Sequence, residues 1–458
     1  MLPIEQACYW LAQRPPRDAR PLEAAGETEI AVIGAGLTGL WTALSLKELA
    51  PALEVTVVEQ GLAAHGASGR NAGMLSETVD HSHGLAIEHF GEAEARRLAR
   101  LGESNVAELV TFLEQRQIRC DYEPTGRLMV ALTERQLGEA RRTVELAERL
   151  GVDSFRYLDR QAVRAELASP LYLGGVAVTG GGILDPVKLV DGLREAAERQ
   201  GIRVHERSRV TAVERRGAGV RIGTQAGRLD ARRVVLATSA YTHHLLPGIT
   251  RRFIPLYDYV LVSDPLSADQ RAAIGWRGRQ GVTDGRAFFN YYRLTADDRI
   301  LWGTSEATYY AGNRVDPSCD HSPPHYAALR QSFRRHFPAL GGLEFPYAWG
   351  GAICSTTRLT PFFGRALEGR VLYGLGYTGH GLGTTRLAGR ILAHMALDRR
   401  SELLELALVR RKPFPYPPEP LRSWSVAQVT RALRRVDPGA RPGLLLRLQD
   451  RRRNGFSS

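Results

Sequence analysis

An α/β domain of Rossmann-like type, joined to a second domain built on an antiparallel sheet, is the fold class that the sequence predicts. Three observations predict it. The apolar run Ile30-Ala31-Val32-Ile33 leads directly into Gly34, Gly36 and Gly39, and then into a helical pattern carrying Leu37, Leu40, Ala43 and Leu44. A second apolar run, Val55-Thr56-Val57-Val58, ends on Glu59. Between Phe253 and Tyr347 the chain turns aromatic and alternates with period two, as in 257–262 (Y-D-Y-V-L-V), 287–293 (A-F-F-N-Y-Y-R) and 299–303 (R-I-L-W-G). Such alternation marks antiparallel strands with one buried face.

The first run carries a specific chemistry. In G-x-G-x-x-G the first glycine permits a tight turn, the second lets a pyrophosphate approach the backbone, and the third lets helix pack on strand. The free N–H groups and positive dipole at the helix start complete an anion site. Gly34, Ala35, Gly36, Leu37, Thr38 and Gly39 therefore form the expected pyrophosphate cradle. Glu59, followed by Gln60, is placed to accept both hydroxyls of an adenosine ribose and to repel a 2′-phosphate.

The remaining chain sets bounds. At 458 residues it can hold two domains, and no run approaches the roughly 20 apolar residues of a membrane span. The start, Met-Leu-Pro-Ile-Glu, shows no secretory signal. Cys8, Cys120, Cys319 and Cys354 are far apart and form no C-x-x-C, so a cytoplasmic location with unpaired thiols is expected. Net charge is +12, but the last 49 residues, with twelve Lys or Arg against three Asp or Glu, carry +9 of it. That distribution suits a solvated basic tail better than a nucleic-acid surface. No metal site is expected: His81-Ser82-His83 and His243-His244 lack supporting carboxylates, and Pro323-Pro324 separates His321 from His325.

Taken in order, 1–27 form a lead segment laid over the surface and anchored by Tyr9-Trp10. The small, glycine-rich stretch 65–73, containing Ser68, Arg70, Asn71 and Ala72, suits contact with a phosphate or ribityl chain. Helical spacing covers 84–119, a strand follows near 127–132, and a helix over 134–150 ends at Gly151. Pro186 begins a helix running to Gln200. Strands are expected at 203–206, 208–215, 220–224 and 233–237, and a helix at 325–337. Finally 371–375 pass through a glycine-dense loop into a helix, giving a second positive helix end that faces the ligand. The expected division is 28–83, 150–250 and 348–400 for the dinucleotide domain, and 84–149 with 251–347 for the substrate domain. A basic extension, 401–458, completes the chain.

Five blocks in this order, E-I-A-V-I-G-A-G-L-T-G-L, V-V-E-Q, G-A-S-G-R-N-A-G, G-G-I-L-D-P with V-V-L-A-T-S-A-Y, and G-Y-T-G-H-G-L-G-T-T, resemble the FAD-dependent D-amino-acid-oxidase-like family. Glycine, sarcosine and γ-glutamylputrescine oxidases are members. G-A-S-G-R-N-A-G and Tyr9-Trp10 look most like the γ-glutamylputrescine oxidase branch. The resemblance implies a glutathione-reductase-type domain holding non-covalent FAD, since Asn71 stands where covalent relatives carry histidine. Val210 would lie on the adenine side, Ala237 would be a further cofactor contact, and Gly376, Gly379, Gly381, Leu382, Gly383 and Thr384 would lie by the flavin. The family chemistry is removal of hydride from a carbon bearing a neutral amine to flavin N5, then imine hydrolysis. The electrons pass to O2, giving H2O2, or to another acceptor; the lysine that helps O2 react in several relatives has no counterpart between Lys188 and Lys412.

Catalytic candidates follow from the same resemblance. Arg293, at the end of Phe289-Asn290-Tyr291-Tyr292, matches a carboxylate-binding arginine; its alternative is a structural strand-end arginine. Tyr257 and Tyr259 share one strand face and either line the pocket or fill the core. His380 is expected beside the flavin, while Trp302 and Glu306 lie near another sheet strand. The expected partner is a small amine or amino acid. A tRNA-modifying flavin oxidase acting on a modified base and a flavoprotein without turnover are the alternatives.

Overall fold

The strand Ala25–Ile33 sits inside a parallel sheet because its apolar residues have covered neighbours on both faces. In the computed structural model, which describes residues 2–79 and 81–436, the first sheet has eight strands. Its main path runs Phe362–Ala366, Val371–Leu375, Arg228–Leu236, Ala25–Ile33, Val55–Val58, Arg203–His205. All neighbours along that path are parallel except the first pair. Gly219–Thr224 and Val210–Arg216 extend it as an antiparallel flap. The helices Leu37–Leu49 and Gly381–Ala396 cross closely: a Cβ on Gly389 would meet the Trp41 backbone at 2.6 Å. That contact brings the two glycine loops to one place.

The second sheet also has eight strands, ordered Tyr347–Ser355, Ile254–Pro265, Arg299–Tyr309, Asn290–Leu294, Gly281–Asp284, Arg127–Ala131, Gly174–Val178, Phe155–Leu158. Every pair is antiparallel but Gly281–Asp284 with Arg127–Ala131. Its membership departs from the expected division at 150 and 348. Phe155–Leu158, Gly174–Val178 and Tyr347–Ser355 all join this sheet rather than the first. Short strands pair wherever an open edge is offered, which local sequence does not record.

Several local expectations change in detail. The helical stretch after residue 83 is two helices, His83–Phe90 and Glu92–Gln115, parted at Gly91 with φ of 88°. The helix Glu134–Leu150, by contrast, ends as expected, at a left-handed Gly151. The lead segment is more than a surface strap, because Tyr9 and Trp10 are buried and Trp10 donates to the Asn71 carbonyl at 2.9 Å. The helix Leu421–Val436 lies along the edge of the central cavity rather than in open solvent. The rest of the basic tail lies outside the described residues. No helix among the described residues is long and apolar enough to cross a membrane.

Candidate active site

Between the two sheets lies a cavity of about 1870 Å³, beyond the ~300–1,000 Å³ of an ordinary small-ligand pocket. Gly34, Gly36, Leu37, Thr38, Glu59 and Gln60 wall one part of it, with Val210 and Ala237 beside them. Glu59 sits at the end of its parallel strand, where burial pushes its carboxyl up while N–H groups of Gly61 and Ala35 hold it down. Those donors lie at 3.0 and 2.8 Å. The Ser68 hydroxyl accepts from Leu37 N–H at 2.9 Å, so it stands at the start of the helix Leu37–Leu49. A Cβ on Gly36 would come within 2.7 Å of that hydroxyl. The cradle thus has space for a close pyrophosphate only because position 36 carries no side chain.

The loop carrying Ser68, Arg70, Asn71 and Ala72 forms the next wall and is fixed from several sides. Asn71 Nδ2 donates to the carbonyls of Ala67 and Ser68 at 3.0 and 2.8 Å, and its Oδ1 accepts from Gly73 N–H at 2.9 Å. Arg70 donates through Nε to the His65 carbonyl and pairs with Asp320, each at 2.8 Å. Trp349 Nε1 donates to the Arg70 carbonyl at 3.0 Å.

A second helix end meets the same space. Gly379, His380, Gly381, Leu382 and Gly383 line the cavity at the start of Gly381–Ala396. Thr38 donates to the Tyr377 hydroxyl at 2.9 Å, tying the two glycine loops together. His380 packs edge-on to His81 with ring centroids 4.6 Å apart. Burial drives His380 well below its ordinary value, with His81 and Arg127 adding repulsion, and burial takes His81 down to about 4. Both rings are therefore neutral at pH 7. A positive helix end flanked by neutral imidazoles suits a group that gains negative charge.

The second sheet supplies the roof, and here three catalytic candidates move. Tyr257 and Tyr259 face away from the cavity; their hydroxyls meet the Asp316 and Cys319 carbonyls at 3.3 and 3.0 Å. Ile254, Leu256 and Asp258 of the same strand face inward, since alternate residues take opposite faces. Arg293 also leaves the site. Its guanidinium, fully buried under the Trp10 ring, donates to the carbonyls of Leu184, Leu294 and Gly73 at 2.7, 2.9 and 3.0 Å. Trp302 stacks on Tyr292 in the core beyond the sheet, and Glu306 pairs with Arg434 at 2.6 Å. Among the cofactor candidates, Ala35, Gly39, Gly376 and Thr384 stand behind the wall and support it.

Residues not singled out from sequence complete the cavity. Phe289 and Tyr291 contribute rings, and the Tyr291 hydroxyl donates to Asp258 Oδ2 at 2.7 Å. Tyr416, Val426, Val429 and Leu433 of the C-terminal segment close another side. The period-two pattern could have found Tyr291. The valine and leucine spacing of 426, 429 and 433 was the only signal for the closing helix.

The cavity fits an extended flavin dinucleotide. Its size, the cradle left clear of side chain at Gly36, the carboxylate at Glu59 and two converging helix ends agree on that ligand. Glu59→Ala is expected to weaken FAD binding about 10- to 100-fold, the loss of hydrogen bonds to a charged group. Fluorescence titration of flavin-free protein measures it.

Comparison with known proteins gives the same answer. Residues 29–395 match the family model described as FAD dependent oxidoreductase. The chain is 31% identical to gamma-glutamylputrescine oxidoreductase of Escherichia coli strain K12, over 84% of this chain and 88% of that protein. It is 29% identical to a probable oxidoreductase OrdL of Haemophilus influenzae, over 84% and 87% of the two chains. Among solved structures, glycine oxidase of Geobacillus kaustophilus shares the fold with a TM-score of 0.70 at 19% identity, over 84% of this chain and 99% of that one.

Proposed function

The chain belongs to the FAD dependent oxidoreductase family, and from that premise we propose that it oxidises the C–N bond of a small amine or amino acid. The observation that carries this reading is the shared cavity, in which a dinucleotide cradle opens under an aromatic roof. An electron carrier needs no such enclosed space beside its cofactor. The relative named for gamma-glutamylputrescine supports an amine as substrate.

Bound FAD supplies the two-electron acceptor for the reaction. The protein supplies everything around it. Gly34, Gly36, Leu37, Thr38, Ser68 and Glu59 would hold the adenosine diphosphate half, and the start of Gly381–Ala396 would stabilise charge gained at the other end. Leu256, Phe289 and Tyr291 exclude water from the reacting space. His380, kept neutral, does not serve as an acid near pH 7.

No lysine lines the cavity among the described residues, so the acceptor that reoxidises the enzyme is either O2 without lysine assistance or another oxidant. Four free, buried cysteines support action in a reducing compartment such as the cytoplasm. The test is anaerobic mixing of the FAD-loaded protein with diamines, acylated diamines, glycine, sarcosine and D-amino acids. Bleaching of the flavin absorbance by one of these classes is expected. A yellow protein that none of them bleaches would remove the reading.

A further inference from the structure

Several of the charged side chains around the cavity are matched by a neighbour, while the roof carries a carboxylate that is not. Arg70 is matched by Asp320 at 2.8 Å, and Arg127 by buried Glu77 at 2.7 Å. Glu59 is held by backbone N–H groups. Asp258, projecting from the strand Ile254–Pro265 into the roof, forms no ion pair among the described residues. Its side-chain partner is the Tyr291 hydroxyl, which donates to Oδ2 at 2.7 Å, and its own backbone N–H gives further support. The Tyr291 ring thus stands directly beside the carboxylate, and the Phe289 ring, also on the cavity wall, lies edge-on to Tyr291 with centroids 6.4 Å apart.

A carboxylate beside aromatic rings in a space shielded from water is the arrangement that receives alkylammonium ions. We propose that Asp258, with Tyr291 and Phe289, forms a subsite that binds the substrate as an ammonium, making this enzyme selective for cationic amines rather than for carboxylates. The proposal rests on the amine reading above and names the group that recognises the amine.

Two further observations support it. Burial pushes the Asp258 carboxyl up to about 6, the Tyr291 hydrogen bond opposing, so the group is charged at neutral pH yet lacks a countercharge. An entering ammonium supplies one. Meanwhile Arg293, the side chain placed by sequence to take a carboxylate, is withdrawn behind Trp10 and Gly73. Once bound, the ion pair can return to neutral acid and neutral amine: an N–H bond of the ammonium breaks and an O–H bond forms on Asp258. Apolar walls favour that neutral pair over the charged one, and the nitrogen regains the lone pair that oxidation of its neighbouring carbon requires.

The test uses the FAD-loaded protein and butyltrimethylammonium, a cation with no N–H to lose. Calorimetric titration is expected to show binding to the wild type and at least tenfold weaker binding to Asp258→Asn. Asp258→Glu is expected to restore most of the affinity, and Tyr291→Phe to lower it modestly. Flavin absorbance and thermal midpoint establish that each variant is folded. Equal binding by wild type and Asp258→Asn would overturn the proposal, as would absence of binding to the wild type. The two readings separate cleanly. If amines bleach the flavin equally well in Asp258→Asn, the subsite fails and the amine activity stands; if the cation binds through Asp258 but no amine bleaches the flavin, the reverse holds.

Discussion

Gly39→Ala is expected to yield protein without bound FAD. Position 39 lies in the first helical turn of Leu37–Leu49, behind the cavity wall. A Cβ there would stand 1.8 Å from the Gly34 carbonyl oxygen and 3.3 Å from Val32 Cγ1. The first obstacle is backbone, and it belongs to the turn that shapes the cradle, with Gly34 at φ of 105°. Helix and strand must separate to admit one methyl group. The cost therefore exceeds the ~1–3 kcal/mol of ordinary overpacking, and retained flavin should fall below about a tenth of wild type. Gly36→Ala is the informative companion. Its Cβ meets only the end of a side chain, the Ser68 hydroxyl, which can rotate away. That variant is expected to fold and to bind FAD more weakly, because the methyl occupies the approach of the pyrophosphate. Absorbance of the purified proteins, with circular dichroism as the folding control, reads both outcomes. Wild-type flavin content in Gly39→Ala would contradict the placement of that turn.

Arg293→Ala is expected to lower stability, not substrate recognition. The guanidinium bridges three carbonyls from separate parts of the chain, Gly73, Leu184 and Leu294, beneath the Trp10 ring. Burial lowers its pKa to about 10, so it remains charged at pH 7. Removal leaves the Leu184 carbonyl without that donor and opens a void under Trp10. Together these cost roughly 2–5 kcal/mol. A fall in thermal midpoint of about 2–5 °C follows from such a loss in a chain of this size. Anaerobic flavin reduction in Arg293→Lys, which keeps the charge, is expected to show an unchanged dissociation constant for every substrate that bleaches the wild type. An unaltered midpoint with lost affinity for amino acids would return Arg293 to the site.

The contrast between Glu59 and Arg293 shows what a sequence can specify. Glu59 is reached through strand, turn, helix and strand in immediate succession, so its place beside the cradle follows from local geometry. The same holds for the loop carrying Ser68 and Asn71 and for the helix that follows Gly379. Tyr257 and Tyr259 were legible as a pair on one face, yet nothing local says which face of a two-sided sheet meets the cavity. A shift of one residue exchanges them for Leu256 and Asp258. Arg293 has the inward parity of Tyr291 but lies two residues farther along, where the lead segment and Gly73 have already closed the space.

By itself, then, the sequence determined the glycine cradle, the carboxylate of Glu59 beside it, the second glycine-loop helix and the existence of an antiparallel sheet. Each depends on contacts within a few tens of residues, or on a motif whose glycines have only one steric use. Only the tertiary structure decided which strands joined which sheet and which sheet face became the roof. It also decided that Asp258 is left without a countercharge and that the C-terminal helix closes the cavity. Those features arise from contacts between segments more than a hundred residues apart, such as Arg293 with Gly73 and Arg434 with Glu306. Local propensity carries no information about such distant partners, so their placement was fixed only when the two sheets met.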